Sequence, residues 1–139
     1  MTTNNSILLH LRKITINTLI FTLALFGLHK YVQHFFFSDV KLFHPIYSIY
    51  FFLFLSLVAL FYFIIKAALK KPDTIFTTFA IGSLVKSAIA ILFFLPLLKI
   101  KTDNLNHTVF NFFIPYFLFL SFEIYQIIKL FKTLNADEK

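Results

Sequence analysis

The sequence predicts an all-α integral membrane protein, an antiparallel four-helix bundle with both termini in the cytoplasm. The first observation is composition: of 139 residues, 59% are hydrophobic, 20% are aromatic and only 14% are charged. Soluble domains have about 45–50% apolar and about 25% charged residues, so this chain is too apolar for a water-facing surface. The mean hydropathy of +0.83 agrees. The second observation is the presence of four long apolar stretches, and the third is that basic residues lie between them.

Each apolar stretch can form a membrane-spanning helix, because about 20 residues at 1.5 Å per residue cross the ~30 Å hydrocarbon layer. The first stretch has 15 residues without a charge, Ile14–Leu28, and aromatic residues extend it. Apolar residues at helical spacing before it predict an amphipathic segment on the inner membrane surface. We expect one membrane domain over residues 1–139, with the third helix between the fourth helix and the first or second. The predicted helices cover approximately residues 14–36, 46–69, 74–98 and 109–131.

The basic residues set the expected orientation, since loops rich in lysine and arginine stay in the cytoplasm. The formal net charge is +7, but the 13 lysine and arginine residues are spread between the apolar stretches, which argues against nucleic-acid binding. Eight of them fall on the side of the two termini, four on the other side and one inside a helix. The sequence therefore predicts a multi-pass protein of the cell inner (cytoplasmic) membrane with both termini cytoplasmic.

Prolines mark the predicted helix boundaries. Pro72 follows two lysines and ends the second helix, and Asp73 can cap the third. Pro45 suits the first turn of the second helix. Pro115 is expected early in the fourth helix, where a missing N–H group is tolerated.

Two charged residues lie inside the predicted membrane segments, Lys86 in the third and Glu123 in the fourth. A charge near the bilayer centre costs about 2.5–3.5 kcal/mol on insertion scales, so it normally has a partner or lies on a pathway. Side chains lean toward the N-terminus of their own helix. In antiparallel helices Lys86 then leans toward the cytoplasm and Glu123 away from it, which brings the two within reach of each other.

Three roles for this pair are open, and the favoured one is structural, holding the third helix against the fourth. Alternatively, Lys86 binds a carboxylate of another membrane protein, or the pair carries protons or ions, although transporters usually have several polar positions. Small residues beside Lys86 leave room around its ammonium and favour close helix packing. Polar residues on the inner half of the bundle form a second predicted cluster. The packing residues are Gly82, Ser83 and Ser87, and the inner polar cluster contains Asn17 and Gln126.

Nothing in the sequence predicts catalysis. The chain has no cysteine, so it has neither a disulfide framework nor a thiolate metal site. Three histidines and one aspartate fall near the outer loop, but their spacing does not place two neighbouring ligands on one helical face, so no metal site is predicted. We expect a protein that is not an enzyme and binds no metal, cofactor or nucleic acid. The four residues near the outer loop are His29, His34, Asp39 and His44.

The stretch Phe79–Lys86, in which Gly82 precedes Lys86 by four residues, resembles the ATP synthase protein I family and its uncharacterised small membrane relatives. The stretch Asn111–Lys129 resembles the ends of those uncharacterised relatives. The likeness covers the layout of the whole chain, but its specific residues lie in the third and fourth helices. It implies an accessory role in assembling the ring of proton-carrying subunits of the rotary ATP synthase. Lys86 is then a candidate contact for an intramembrane carboxylate of a partner.

The sequence therefore predicts a small integral membrane accessory or assembly protein that acts through helix contacts within the lipid bilayer. The membrane subunits of the ATP synthase are the first candidate partners. One alternative is a small oligomeric transporter or channel for an ion or solute that uses Lys86 and Glu123. Another is a minor structural subunit of a different membrane complex. The sequence leaves open whether the chain forms a homo-oligomer and whether the two charges pair within one chain.

Overall fold

The computed structural model describes residues 2–39, 45–99 and 105–137. The chain is 94% helical and has no strand in these ranges. A 3₁₀ turn, Pro72–Thr74, joins the second helix to the third. All four helices are long and apolar enough to cross a membrane, which confirms the prediction of an all-α chain with four membrane-length helices. The helices are α1 (Thr2–Phe36), α2 (Ile46–Ala68), α3 (Ile75–Lys99) and α4 (Leu105–Asp137).

The first and last helices are longer than the sequence predicts. The 35 residues of α1 span about 52 Å, which exceeds the thickness of the hydrocarbon layer. The N-terminal amphipathic segment and the first apolar stretch are therefore parts of one continuous helix. No glycine or proline precedes Gly27 to interrupt the helix, and Ile7 and Leu11 already pack against the core.

The central element of the bundle is α2, which contacts each of the other three helices. The buried residues of α2 form one broad face of the helix, which includes Leu53, Leu57, Phe61 and Ile64. The most extensive backbone contact of α1 is with α2. As expected from the sequence, α3 contacts α2 and α4. The core therefore centres on this face of α2, and the opposite face, with Phe51 and Leu55, is exposed.

Aromatic contacts show how α3 and α4 are aligned. Phe76 near the start of α3 lies against Phe131 near the end of α4, with ring centroids 5.2 Å apart. Farther along α3, Phe94 lies edge-on against Phe112 of α4, with centroids 4.3 Å apart. The contacts advance along α3 as they go back along α4, so these two helices run in opposite directions. This alignment places the middle of α3 beside the middle of α4.

Two prolines lie at helix boundaries, as the sequence predicts. Pro45 immediately precedes α2, and its carbonyl oxygen accepts hydrogen bonds from two N–H groups of the first turn at 3.0 and 3.3 Å. Pro72 begins the 3₁₀ turn that also contains Asp73. Both the N–H and the hydroxyl of Thr74 donate to the Lys71 carbonyl, at 3.0 and 2.7 Å. The break between α2 and α3 is therefore short and hydrogen-bonded.

Pro115 is not near the start of its helix, because α4 begins at Leu105 and the proline lies about three turns inside it. A proline there has no N–H to donate to the carbonyl four residues earlier, which belongs to Asn111. The sequence prediction is wrong because it started the helix too late. The proline instead removes one backbone hydrogen bond of α4, next to a polar cluster that is described below.

Candidate functional site

Lys86 of α3 and Glu123 of α4 form a buried ion pair between the two helices. Lys86 Nζ donates a hydrogen bond to Glu123 Oε1, and the side chains are 5% and 0% exposed. The structure therefore brings the two predicted residues together within one chain. Because Lys86 is buried and already bonded to a carboxylate, it does not present a free ammonium to a partner protein.

Tyr116 and two serines surround this ammonium. Lys86 Nζ lies over the ring of Tyr116, 5.4 Å from its centroid, where the negative face of the ring attracts the cation. The hydroxyl of Ser87 donates to the Ser83 carbonyl at 2.9 Å. Since that serine has one hydroxyl hydrogen, the 2.9 Å contact with Tyr116 uses the tyrosine O–H as donor. Tyr116 thus links the cation to the small-residue face of α3.

Two buried oxygen atoms of α3 and α4 have no hydrogen-bond partner within the described residues: Glu123 Oε2 and Ser83 Oγ. Only one oxygen of the carboxylate is bonded to Lys86. Buried polar atoms are nearly always hydrogen-bonded, and leaving one unsatisfied costs about 1–3 kcal/mol. An unsatisfied carboxylate oxygen is therefore an acceptor that a water, a proton or an ion could use.

The small residues of α3 contact two different helices. A Cβ atom at Gly82 would overlap the Cδ1 methyl of Leu60, so the glycine permits close approach of α2. Ser87 contacts Tyr116 of α4 instead. The space that the sequence analysis expected beside the Lys86 ammonium is therefore filled in part by Leu60.

A surface cavity of about 450 Å³ runs along the contact between α2 and α3, and we call it the α2–α3 groove. Small side chains line it on both helices, Ser56 and Ala59 on α2 and Gly82 on α3. Larger side chains also line it, and on the α3 side they are Thr78, Ile81, Val85, Lys86 and Ile89. One face of the groove is thus continuous with the buried ion pair.

The predicted inner polar residues Asn17 and Gln126 line the same two adjoining cavities between α1 and α4, together with Lys129. Gln126 is 3% exposed. Thr18 and Thr22 lie in the same part of α1 but do not belong to this cluster. Each donates its hydroxyl hydrogen to a carbonyl of its own helix at 2.7 Å. The polar cluster therefore consists of an amide on each helix and one lysine.

A second polar cluster lies farther along α1 and α4, and the sequence analysis did not predict it. Asn111 donates to the His107 carbonyl at 2.6 Å, so its oxygen accepts from His29 Nε2, also at 2.6 Å. His29 Nδ1 lies 3.2 Å from the hydroxyl of Tyr50, which also lies 3.3 Å from the Leu25 carbonyl. The only sign of this cluster in the sequence was a few polar residues within apolar stretches. Which of them pair depends on how the helices are rotated and aligned against each other, and the sequence does not show this.

The described part of the chain contains no group of three or more potential metal ligands. His34 and Asp39 are exposed, and His29 belongs to the polar cluster above. His44 lies outside the described residues. What the arrangement offers is a groove between α2 and α3 that adjoins a buried ion pair, which suits binding of apolar molecules or helices. Comparisons with protein-family models, with curated proteins and with solved structures found no match.

Proposed function

We propose that the protein is a small integral membrane accessory protein that holds a transmembrane helix of a partner in the α2–α3 groove. The observation that carries the proposal is the lining of this groove, where small side chains from two helices meet beside a buried ion pair. The protein acts by binding and positioning rather than by breaking bonds.

The physical reason is that lipid gives no hydrophobic driving force for helix association. Helices in a bilayer associate through close packing, and small residues allow their backbones to approach. Ser56 and Ala59 are about one turn apart on α2, and Gly82 lies across from them on α3. A partner helix can come closest beside Ser56 and Ala59, because Leu60 already packs against Gly82. The Lys86–Glu123 bond fixes α3 against α4, so the groove is formed before the partner arrives, which lowers the entropy lost on binding.

The membrane subunits of the ATP synthase are the first partners to test. The support is the resemblance of Phe79–Lys86 to the ATP synthase protein I family, because Gly82 and Val85 of that stretch line the groove. In this proposal Lys86 has a different role from the one that the resemblance implies. Its ammonium stays bonded to Glu123, and the residue forms part of the groove wall.

The proposal places the protein in the inner membrane with both termini in the cytoplasm, supported by the eight basic residues on that side against four on the other. Because the chain has no cysteine, single cysteines report single positions. In spheroplasts, a membrane-impermeant maleimide should label Ser38→Cys directly but Asn5→Cys only after the membrane is opened. Both positions are exposed. The reverse pattern would overturn this orientation.

Site-specific photocrosslinking tests the groove itself. A photoreactive amino acid at Val85, which lines the groove, should give a discrete adduct with one membrane protein. The matched control is Leu84, the neighbouring residue, which is exposed but does not line the groove. Adducts are identified by mass spectrometry, which distinguishes ATP synthase subunits from subunits of another complex.

A blocking variant completes the test. Ala59→Leu fills the groove from an exposed position, so it should remove the Val85 adduct without unfolding the protein. If the probes at Val85 and Leu84 give the same lipid adducts and no protein adduct, the proposed function fails.

A second candidate function, transport of a proton or small ion, is favoured by one observation, the unpartnered Glu123 Oε2. Glu123→Gln keeps the shape of the side chain but removes its charge. In proteoliposomes, transport through this site should be lost in that variant and retained in Tyr125→Phe, a change at an exposed residue of the same helix. A wild-type protein that gives no flux above empty liposomes would remove this candidate.

A further inference from the structure

A second groove runs between α1 and α4, whose backbones make little contact with each other. Its mouth is a cavity of about 300 Å³ lined by His10, Lys13 and Lys129. Deeper in the bundle, a cavity of about 450 Å³ reaches Ala24. The two cavities share Gln126 among their lining residues, so they form one continuous feature that we call the α1–α4 groove.

The groove has the length of one acyl chain in one leaflet. From Lys13 to Ala24 the helix rises about 16 Å, and half of the hydrocarbon layer is about 15 Å. Beyond Asn17, Gln126 and Lys129, which line both cavities, the deeper part is lined by apolar and aromatic side chains from both helices. Among them, Phe21 of α1 stacks on Phe122 of α4 with ring centroids 4.3 Å apart. An acyl chain lying along this part of α1 would contact side chains on both helices.

The mouth of the groove is positively charged and rich in hydrogen-bond donors. Lys13 and Lys129 enter it from opposite helices, and both side chains are exposed at the surface. His10 lines the same cavity and can donate a hydrogen bond to an oxygen anion. Basic pockets between membrane helices bind the phosphates of anionic lipid headgroups. The positive charge of the mouth and the length of the groove therefore both favour a lipid with an anionic headgroup.

We propose that the α1–α4 groove binds one anionic phospholipid, with its phosphate between Lys13 and Lys129 and an acyl chain extending toward Ala24. This site is separate from the α2–α3 groove, so it does not depend on the proposed function. The bound lipid fills the seam beside the Phe21–Phe122 contact, where the backbones of α1 and α4 stay apart, and it adds a link between the two helices.

Native mass spectrometry of the purified full chain in mild detergent tests the site, with phosphatidylglycerol and phosphatidylcholine of identical acyl chains as probes. The wild-type protein should bind phosphatidylglycerol more tightly than phosphatidylcholine. The double variant Lys13→Gln/Lys129→Gln should weaken phosphatidylglycerol binding by about tenfold or more. The matched control is Lys66→Gln/Lys70→Gln, which removes the same charge from exposed positions outside the groove and should bind like the wild type.

A third variant tests the acyl-chain part of the site. Ala24→Phe leaves the charge unchanged and fills the deeper cavity, so it should also weaken phosphatidylglycerol binding. Millimolar inorganic phosphate should not displace the lipid, and displacement by phosphate would identify a site for free anions instead. Equal binding of the two lipids by the wild type would overturn the proposal. The proposal would also be overturned if Lys13→Gln/Lys129→Gln and the control Lys66→Gln/Lys70→Gln lost phosphatidylglycerol binding to the same extent.

Discussion

The helices α2 and α3 are similar in length and are both strongly apolar, yet they differ greatly in how many of their residues are buried. In the most apolar window of α2, 44% of the residues are buried, but only 11% are buried in that of α3. The buried residues of α2 are mainly large and aliphatic or aromatic. On α3, Lys86 is buried while its neighbours Leu84 and Val85 are exposed.

The difference shows that apolarity does not decide which helix is central in a membrane. Lipid tails are as apolar as leucine, so burial against protein depends on packing rather than on hydrophobicity. The position of α2 rests on many shape-dependent contacts, and that of α3 on a few specific ones. Besides its aromatic contacts, α3 makes the Lys86–Glu123 ion pair, the Ser87–Tyr116 hydrogen bond and the close approach at Gly82.

The largest effect should follow from removing one partner of the ion pair. Glu123→Ala leaves the Lys86 ammonium buried without its counter-charge, and we expect it to lower stability by about 3–5 kcal/mol. The double variant Lys86→Met/Glu123→Leu should recover most of this loss, because neither charge is then buried. Thermal unfolding in mild detergent, followed by circular dichroism, measures both. Single variants as stable as the wild type would show that α3 is held by other contacts.

A smaller effect is expected from truncating the core of α2. Leu57 is 0% exposed, so Leu57→Ala should leave a cavity and lower stability by about 2–3 kcal/mol through lost packing contacts. The matched change on α3, Leu92→Ala, removes a side chain that is 62% exposed and should cost less than about 0.5 kcal/mol. The same unfolding measurement applies. Equal losses at the two positions would contradict the central place of α2.

The two glycines provide an internal control for close packing. Gly82→Ala places a methyl group against Leu60, which must move, and we expect a loss of about 1 kcal/mol. Gly27 has open space around its Cβ position, so Gly27→Ala should be neutral or stabilise the helix by up to about 1 kcal/mol. Comparing the two melting temperatures tests the contact between α2 and α3. A gain in stability from both changes would place Gly82 outside that contact.

The smallest effect should come from Tyr116→Phe, which keeps the ring over Lys86 and removes the hydroxyl that donates to Ser87. Hydrogen bonds between membrane helices contribute about 0.6 kcal/mol on average, and we expect a loss of that size. In a double-mutant cycle with Ser87→Ala, the two losses of stability should not add, because both changes remove the same hydrogen bond between Tyr116 and Ser87. Fully additive losses would show that the two hydroxyls do not interact.

The sequence predicted what depends on local rules. Hydropathy located the four helices, because a spanning segment needs a fixed length of apolar chain. The lean of side chains along antiparallel helices predicted that Lys86 and Glu123 could meet, and the structure has them bonded. Asn17 and Gln126 were grouped by depth alone, and they do line common cavities.

What the sequence did not reveal depends on helix rotation and on which helices are neighbours. All four stretches are apolar, so hydropathy could not distinguish lipid-facing from protein-facing residues, and the central place of α2 was not predicted. The contact of Gly82 with Leu60 and the bond between His29 and Asn111 join residues far apart in the chain. Neither pair has a spacing pattern that a single sequence shows.

The 37-residue separation of Lys86 and Glu123 has a consequence for biogenesis. During translation Lys86 leaves the ribosome first, and at 5–20 residues per second Glu123 follows about 2–7 s later. In that interval α3 carries a lysine whose counter-charge has not yet been made. The ion pair that joins α3 to α4 can therefore form only after α1 and α2 have been synthesised and α4 has followed.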